Sequence, residues 1–408
     1  MKIYRSITPK IIKNLEKEDI LLIVGARQVG KTTLLKQIIK VFKERSAQYF
    51  YFTLEDRELL EVLDKHPNNI FQYIPQNTQK TYLLIDEIQY LKDPSNFLKY
   101  IYDQYKNTIK LIVTGSSAFY IDKKFKDSLA GRKKIIKLYP FNFSEFLLSK
   151  GASEFAEKIS QPTFVESDSK RDFLVPDRKQ LEIYWNEYVL FGGYPKIVME
   201  SDYEEKQDYL KELYQSFLKK DVLDSAIKEE TAFYKLIKIL ASQTGQLVNN
   251  QELARTVGVS GETISKYLYV LQKSFIIQLI PTFSGNMRKE LVKMPKVFFF
   301  DNGYRNALLN SFSLWGDRLD KGELLENSVF VELTKNSMED IKFWRTQDKQ
   351  EIDFIVNEKY AFEVKLNKNS FKAAKYKTFK NKYPDIDLKL VTYSDFYELD
   401  IFDFISLN

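Results

Sequence analysis

The stretch Gly25-Ala26-Arg27-Gln28-Val29-Gly30-Lys31-Thr32 decides how this chain folds. It has the pattern G-x-x-x-x-G-K-[ST], which is informative when it follows a strand and opens a helix. The apolar run Ile20–Val24 precedes it, and a helix-like segment from Thr32 to Arg45 follows. Glycines let backbone N–H groups curl around phosphates, and a helix N-terminus adds a favourable dipole. The stretch therefore predicts a site for the phosphates of a nucleotide.

A second apolar run supplies the other half of such a site. Leu83-Leu84-Ile85-Asp86-Glu87 predicts a strand that ends in two carboxylates. We expect Asp86 and the Thr32 hydroxyl to hold Mg²⁺, and Lys31 to contact the β- and γ-phosphates. Glu87 is expected beside the γ-phosphate, where a carboxylate can orient and deprotonate water. The two stretches together predict ATP and Mg²⁺ as ligands and ATP hydrolysis as the reaction. The residues expected to contact ATP are Gly25, Ala26, Arg27, Gln28, Val29, Gly30, Lys31, Thr32, Thr33, Thr114 and Ser116.

Two more segments are expected near the γ-phosphate. Thr114-Gly115-Ser116-Ser117 ends another apolar run, where hydroxyls could sense that phosphate; a simple turn of small residues is the alternative. Arg132, in Leu129-Ala130-Gly131-Arg132, could reach the ATP of a neighbouring subunit and stabilise charge in the transition state. A solvated basic residue within Arg132-Lys133-Lys134 is the other interpretation. The first interpretation of Arg132 predicts a homo-oligomer, at least when ATP is bound.

The apolar runs alternate with helix-like segments in this part of the chain. This alternation predicts a three-layer α/β domain with a parallel sheet. A tyrosine and a proline after the last run, Tyr139-Pro140, should end the sheet. Besides Ile20–Val24, the expected strands are Tyr49–Leu54, Tyr82–Ile85, Lys110–Thr114 and Ile135–Leu138.

Composition limits the chemistry that the chain can perform. Its 408 residues include no cysteine and one histidine, His66, so a disulfide framework, a Cys-ligated zinc and a His-cluster metal site are excluded.

The length of the chain predicts two to three domains. The N-terminus lacks the apolar run of a signal peptide, and no stretch is long enough to span a bilayer, so we expect a cytoplasmic location and no membrane partner. The net charge of +6 permits nucleic-acid binding without requiring it.

The middle of the chain is predicted to be mostly helical. A polar stretch near 160–178 is interpreted as a loop or insertion, and Gly192-Gly193-Tyr194-Pro195 as a helix stop and turn. Gln251–Leu268 has the pattern of a helix-turn-helix, and Phe275–Pro281 would form the first strand of a wing. Its second helix offers no arginine for base contacts, so domain packing or protein contact is favoured over DNA reading. Short strands are then expected around Asp301, Trp344, Phe354 and Val364.

The C-terminal part carries a second candidate site. Strand alternation over Tyr360–Leu366 places Glu363 and Lys365 on one face, with Asp353 on the neighbouring strand. Asp followed about ten residues later by Glu-x-Lys is the arrangement of nucleases with a D…E-x-K site. Asp353 and Glu363, with Glu326 from the preceding helix, would hold Mg²⁺, and Lys365 would position the attacking water. The alternative is a surface Glu–Lys pair on a fold that has lost its activity.

A lysine-rich segment follows these carboxylates and contains no acidic residue. It predicts a basic helix that could contact a phosphate backbone, with a solvated lysine face as the alternative. Nucleic acid, DNA more than RNA, is therefore an expected partner, and a protein partner is the alternative. The lysines are Lys368, Lys372, Lys375, Lys377, Lys380 and Lys382, interleaved with Phe371, Tyr376 and Phe379.

Four of these motifs resemble those of the prokaryotic and archaeal AAA-type ATPase family whose C-terminal domain resembles restriction endonucleases. They are the glycine-rich stretch, Leu-Ile-Asp-Glu at 84–87, Thr-Gly-Ser-Ser at 114–117 and Leu-Ala-Gly-Arg at 129–132. Phe191-Gly192-Gly193-Tyr194-Pro195 and Phe300-Asp301-Asn302-Gly303 resemble later signatures of that family. The resemblance covers nearly the whole chain, apart from the polar stretch near 160–178. It implies an α/β multidomain fold with a P-loop AAA core, a helical lid, a winged helix and a restriction-endonuclease-like α/β domain. The expected boundaries are 1–141, 142–225, 226–300 and 301–408.

Two functions are consistent with this architecture. ATP hydrolysis could drive the binding, remodelling or Mg²⁺-dependent cleavage of nucleic acid. Alternatively, the chain could be a nucleotide-dependent switch whose C-terminal domains bind a protein partner without nuclease activity. An intact metal cluster at Glu326, Asp353, Glu363 and Lys365 favours the first function, and a distorted cluster favours the second.

Overall fold

The computed structural model describes residues 5–75, 80–115, 129–160, 175–218, 227, 229–286, 288, 290, 293–336 and 340–393. Within these residues the chain forms two compact units, which are considered separately. The N-terminal unit comprises Lys2–Tyr139 with Lys273–Phe275, and the C-terminal unit comprises Pro140–Gln272 with Ile276–Asn408.

The described part of the N-terminal unit is built on a five-stranded sheet. Its strands are β1 (Ile20–Val24), β2 (Gln48–Thr53), β3 (Thr81–Asp86), β4 (Ile109–Gly115) and β5 (Lys133–Lys137). They lie in the order β2-β3-β4-β1-β5, and every neighbouring pair is parallel. The predicted parallel α/β sheet is therefore confirmed.

Helices connect these strands and cover the sheet. They are α1 (Thr8–Leu15), α2 (Lys31–Glu44), α3 (Arg57–Lys65) and α4 (Pro94–Tyr105), with short 3₁₀ turns at Pro67–Gln72 and Ile88–Tyr90. All five residues of β1 are buried, which explains its uninterrupted apolar sequence. On α2, Leu34, Leu35, Ile38 and Phe42 form one buried stripe at helical spacing. This packing fixes the position of the glycine-rich loop, because the loop joins β1 to α2.

Helices dominate the first part of the C-terminal unit. They are α5 (Phe143–Ser149), α6 (Ser153–Ser160), α7 (Val175–Phe191), α8 (Pro195–Met199), α9 (Tyr203–Phe217), α10 (Glu230–Ser242), α11 (Asn250–Val257) and α12 (Gly261–Lys273). The loop predicted near 160–178 is too long at its end, because α7 already begins at Val175. Residues 161–174 lie outside the described residues. Gly258 ends α11 with a left-handed backbone, so the turn expected between the two helices of the helix-turn-helix pattern is present.

Two sheets complete the described C-terminal unit. The strands β6 (Ile277–Ile280) and β7 (Lys296–Phe299) pair antiparallel, and α13 (Asn302–Leu309) and α14 (Lys321–Lys335) follow. The second sheet has the order β11-β10-β9-β8, from β8 (Ile341–Arg345), β9 (Glu351–Val356), β10 (Tyr360–Lys365) and β11 (Asp387–Thr392). The Phe343 N–H donates to Pro281 O at 3.0 Å, so the two sheets are hydrogen-bonded to each other. None of the described helices has the length and apolar character needed to cross a bilayer.

The short strand expected around Asp301 is present as β7, and Asp301 itself follows it as the N-cap of α13, where its side chain accepts a hydrogen bond from the Tyr304 N–H. One local expectation in the C-terminal unit is wrong. The lysine-rich segment is not one basic helix. It forms 3₁₀ turns at Lys368–Ser370 and Ala373–Tyr376 and then α15 (Lys377–Lys382). Its aromatic residues pack into the core of the four-stranded sheet, and this packing interrupts the helix.

The Gly192-Gly193 turn between α7 and α8 is closely packed. A Cβ on Gly193 would lie 2.1 Å from Phe141 O. The Gly193 N–H donates to Asp301 Oδ2 at 2.8 Å, and Lys335 Nζ lies 3.6 Å from the same oxygen. The glycine pair predicted as a helix stop therefore also lets two backbone segments meet around a buried ion pair.

We predict that Gly193→Ala destabilises the protein by about 3 kcal/mol, the upper end of the range for overpacking a core. The added methyl meets backbone atoms, which cannot move aside as a flexible side chain can. Gly322→Ala is the matched control, because a Cβ there has no neighbour within 4 Å. It should leave the stability unchanged or raise it by about 0.4–1 kcal/mol. Urea unfolding measures both, and equal effects of the two substitutions would contradict the prediction.

Candidate functional site

The glycine-rich loop begins where β1 ends and finishes at the first residue of α2. Gln28 (φ 61°) and Gly30 (φ 96°) have left-handed backbones, a pattern that builds anion-binding concavities from successive N–H groups. Lys31 is buried, and its Nζ donates to Ala26 O at 2.9 Å and to Gly25 O at 3.2 Å. The ammonium therefore lies inside the loop, at the place where the sequence predicts phosphate binding.

The loop is also held from outside the motif. Arg5 is buried, and its guanidinium donates to Val29 O at 2.8 Å and to Tyr139 O at 2.6 Å. A Cβ on Gly25 would lie 2.2 Å from Leu138 O, so only glycine fits where the loop meets the segment after β5. Arg5 is a residue that sequence reasoning missed, and nothing in its local pattern indicates this role.

Asp86 lies at the buried end of β3 and is 2% exposed. Its Oδ2 accepts a hydrogen bond from the Thr32 hydroxyl at 2.6 Å, and its Oδ1 accepts one from the Thr114 hydroxyl. The Tyr51 hydroxyl donates to Oδ2 at 3.3 Å, and burial together with the Asp86 charge raises the pKa of Tyr51 to about 12. Carboxylate and hydroxyl oxygens are ligands that Mg²⁺ accepts, so Thr32 and Asp86 fit the predicted metal position.

Glu87 follows in a left-handed conformation (φ 59°), which costs about 1–3 kcal/mol for a residue other than glycine. Its N–H donates to Thr114 Oγ1 at 3.0 Å, and its carboxylate accepts a hydrogen bond from the buried Gln89 amide. Thr114 therefore links the two carboxylate residues, since β4 lies beside β3. Gln89 is a second residue that sequence reasoning missed. The predicted Ser116 lies outside the described residues.

Arg132 lies between the glycine at position 131 and β5. Its Nε donates to Asp103 Oδ1 at 2.8 Å, and its Nη2 to Oδ2 at 3.4 Å. About a third of each side chain is exposed, and exposed ion pairs contribute about 0–1 kcal/mol. Breaking the ion pair with Asp103, so that Arg132 can bind another anion, would therefore cost little free energy.

A second cluster of charged side chains lies in the C-terminal unit. Lys296, the first residue of β7, is 3% exposed. Its Nζ lies 2.6 Å from Glu351 Oε1, 2.9 Å from Glu326 Oε1 and 3.7 Å from Asp353 Oδ1. Lys296 thus lies between carboxylates that come from a helix and a strand of the other sheet.

Lys365 provides the second cation of this cluster. It forms an ion pair with Glu363 and lies 4.0 Å from Asp353 Oδ2. That same Asp353 oxygen accepts a hydrogen bond from the Val364 N–H at 2.8 Å. The structure therefore brings the predicted Glu326, Asp353, Glu363 and Lys365 together, but as parts of an ion-pair network.

Burial and mutual repulsion change the protonation of these carboxylates. Burial, followed by the Asp353 charge, raises the pKa of Glu326 to about 8 and that of Glu363 to about 7. Burial alone would lower the pKa of Lys296, but Glu326, Asp353 and Glu351 outweigh it and raise that pKa. Lys296 therefore stays charged, whereas the Glu326 and Glu363 carboxylates can take up a proton near neutral pH.

The fit of a metal to this cluster can be judged from its oxygens. Across the residues that the structure covers, no group of three or more His, Cys, Asp or Glu side chains could hold a metal ion. Glu363 Oε2 is buried and accepts no hydrogen bond of ordinary geometry. The Tyr376 hydroxyl nevertheless influences the pKa of the Glu363 carboxyl. The cluster as it stands does not fit Mg²⁺.

Sequence reasoning missed Lys296 and Glu351. Glu351 could have been found, because it lies two residues before Asp353 on the same strand and so faces the same side. Lys296 carries no such signal, since its partners are distant in the sequence. The six lysines of the lysine-rich segment, Lys368, Lys372, Lys375, Lys377, Lys380 and Lys382, are all exposed.

Comparison with protein families divides the chain into three matched segments. Residues 17–147 match the model described as AAA domain. Residues 182–314 match a Domain of unknown function (DUF8612), and residues 321–407 match a Domain of unknown function (DUF4143). Lys31, Thr32, Asp86 and Glu87 thus lie within the segment that matches an AAA domain, and Arg5 precedes it. The chain has an AAA-type P-loop ATPase-like fold.

Similar proteins occur in archaea and bacteria. Uncharacterized protein MJ1637 of Methanocaldococcus jannaschii is 30% identical over 337 residues, which cover 78% of this chain and 68% of that protein. Uncharacterized protein MJ1544 of the same organism is 27% identical and covers 96% of this chain and 85% of its own length. A Haemophilus influenzae protein is 28% identical over 88% of this chain and 86% of its own length.

Among solved structures the likeness is weak. The Thermotoga maritima RuvB Holliday junction branch migration motor aligns with a TM-score of 0.30 and 17% identity, over 67% of this chain and 89% of that one. AMPPCP-bound DnaA from Aquifex aeolicus aligns with a TM-score of 0.31 and 16% identity, with the same coverage. At these scores the likeness carries no inference about function.

Proposed function

Because this chain belongs to the protein family of Methanocaldococcus jannaschii MJ1637, and residues 17–147 match an AAA domain, we propose that it binds and hydrolyses ATP with Mg²⁺. The observation that carries this proposal is the convergence of Lys31, Thr32 and Asp86 at the carboxyl ends of parallel strands. Ligands of open α/β sheets bind at that edge.

Each residue has a distinct role in this proposal. The loop amides of residues 25–30 and the Lys31 ammonium bind the phosphates, while Arg27 and Thr33 complete the loop's contacts with the nucleotide. Thr32 and Asp86 hold Mg²⁺, which neutralises phosphate charge when bound. Glu87 orients water and takes its proton, and Thr114 and Gln89 hold Glu87 at the end of β3.

The C-terminal unit is the part that responds to the nucleotide in this proposal. Metal-dependent cleavage of nucleic acid needs a metal at Glu326, Asp353 and Glu363. The ion pairs of Lys296 with Glu326 and Asp353, and of Lys365 with Glu363, disfavour such a metal. The switch function is therefore the better account, with Asp353, Glu363 and Lys365 acting as an ion-pair network and not as a catalytic site.

We predict that Lys31→Ala weakens ATP binding by more than about 100-fold, or about 2.8 kcal/mol, because the phosphates lose their buried cation. Glu87→Gln should keep the ATP affinity and lower the hydrolysis rate by about 10²–10⁴-fold. Calorimetric titration and phosphate release measure the two effects. Lys36→Ala, which removes an exposed lysine of the same helix, is the control and should change neither value. Wild-type hydrolysis by the Glu87→Gln protein would show that Glu87 is not the base.

Arg132 is proposed to act on the ATP of a neighbouring subunit in a homo-oligomer. We predict that Arg132→Ala preserves the ATP affinity and lowers hydrolysis by about 10³-fold, the smaller end of what such an arginine contributes. Asp103→Asn breaks the same ion pair but keeps the arginine, so it should spare hydrolysis if Arg132 acts on ATP itself, and it should match Arg132→Ala if only the ion pair matters. Mixing Arg132→Ala with Lys31→Ala should restore some activity. Absence of rescue, with subunit exchange verified, would argue against action between subunits.

Nucleic-acid binding by the lysine-rich segment is a second candidate function. It is favoured by six exposed lysines with no acidic residue among them, which suits a phosphate backbone. We predict that changing Lys372, Lys375 and Lys380 to Glu weakens duplex DNA binding and reduces the slope of log K against log salt by about 0.9 per lost phosphate contact. The control carries the same charge change at Lys36, Lys40 and Lys43, three exposed lysines of α2. If both triple variants bind DNA alike, or if the wild-type protein binds none, the protein-partner alternative remains.

A further inference from the structure

Lys296 occupies an unusual position for a lysine. Its side chain is 3% exposed, although it starts a strand of only four residues. Its Nζ has carboxylate oxygens of Glu351, Glu326 and Asp353 within 3.7 Å. These carboxylates come from α14 and β9, the elements from which a D…E-x-K site would take its metal ligands.

Several oxygens near this ammonium already have partners. Glu326 Oε1 pairs with Lys296, and Glu326 Oε2 packs against Gly245, where a Cβ would lie only 2.9 Å from it. Asp353 Oδ2 accepts the Val364 N–H. Mg²⁺ requires oxygens at about 2.0–2.1 Å in near-octahedral geometry and usually keeps several waters. Glu363 Oε2 is buried and accepts no hydrogen bond of ordinary geometry, and one such oxygen does not supply that coordination.

Cationic side chains already face the carboxyl groups of this cluster. The four carboxyl groups are those of Glu326, Glu351, Asp353 and Glu363. Against them stand three cations, Lys296, Lys365 and Arg345, the last of which pairs with Glu351. A divalent ion added to this set would have to displace a buried ammonium whose strand is fixed by pairing with β6.

We propose that the Lys296 ammonium occupies the place of the divalent cation in a D…E-x-K site, so that these carboxylates bind a metal only after that ammonium is removed. The ligand class of the vacated position is a hard divalent cation, for which Mn²⁺ is a convenient probe. The proposal concerns the C-terminal unit and is independent of ATP hydrolysis.

The test uses the full-length chain without nucleotide and counts bound Mn²⁺ by electron paramagnetic resonance. Wild type, Asp353→Asn and the control Glu262→Gln, which alters a carboxylate 79% exposed, should bind equal amounts of Mn²⁺. Any Mn²⁺ held by the N-terminal unit is common to all three and cancels. Loss of one Mn²⁺ per chain in Asp353→Asn would overturn the proposal without the need for a Lys296 variant.

Lys296→Met provides the second arm, because methionine keeps much of the side-chain volume and removes the charge. This variant should gain one Mn²⁺ per chain, and Mn²⁺ should raise its melting temperature while leaving that of the wild type unchanged. The gain should disappear in Lys296→Met/Asp353→Asn. A folded Lys296→Met protein that binds no additional Mn²⁺ would contradict the proposal. If Lys296→Met does not fold alone, recovery of folded protein in Mn²⁺ supports the proposal, and failure to recover counts against it.

Discussion

A charge that leaves water must find a partner inside the protein, and this constraint governs both units of the chain. An unmatched buried ion costs on the order of several kcal/mol, which is a large part of the total stability of a domain. Asp86, 2% exposed, is matched by hydroxyls from two neighbouring elements, and Lys296, 3% exposed, is matched by carboxylates from two others. Each buried charge therefore fixes where several distant segments of the chain must meet.

The two sites satisfy this constraint in opposite ways. The Asp86 carboxylate is surrounded by neutral donors, Thr32, Thr114 and Tyr51, so its negative charge is solvated but not cancelled. Such an environment still attracts a cation. Around Lys296 the carboxyl groups are already paired with cationic side chains, so their attraction for a further cation is weaker. Asp86 thus suits the metal proposed for the N-terminal unit, whereas Asp353 takes part in an internal ion pair in the C-terminal unit.

Sequence patterns were sufficient to predict features that depend on residues close together in the chain. The spacing within Gly25–Thr32, with its flanking strand and helix, was sufficient for the loop, because the motif carries its own backbone geometry. Alternation along β10 was sufficient to place Glu363 beside Lys365. Arg5 and Lys296 could not be predicted, since their partners lie far away in the sequence and only the folded backbone brings them together. The lysine-rich segment failed as a helix because its aromatic side chains are held in the core, and this tertiary packing overrides helix propensity.

The position of Lys296 has a consequence for the order in which the chain folds. During synthesis β7 leaves the ribosome before α14 and well before β9, so the lysine is exposed first and its carboxylate partners follow later. Until Glu326 emerges on α14, closing β7 into a dry core would bury an uncompensated ammonium, which is strongly unfavourable, and Glu351 completes the pairing later. The two sheets of the C-terminal unit are therefore expected to consolidate together, late in translation, once α14 and β9 have been synthesised.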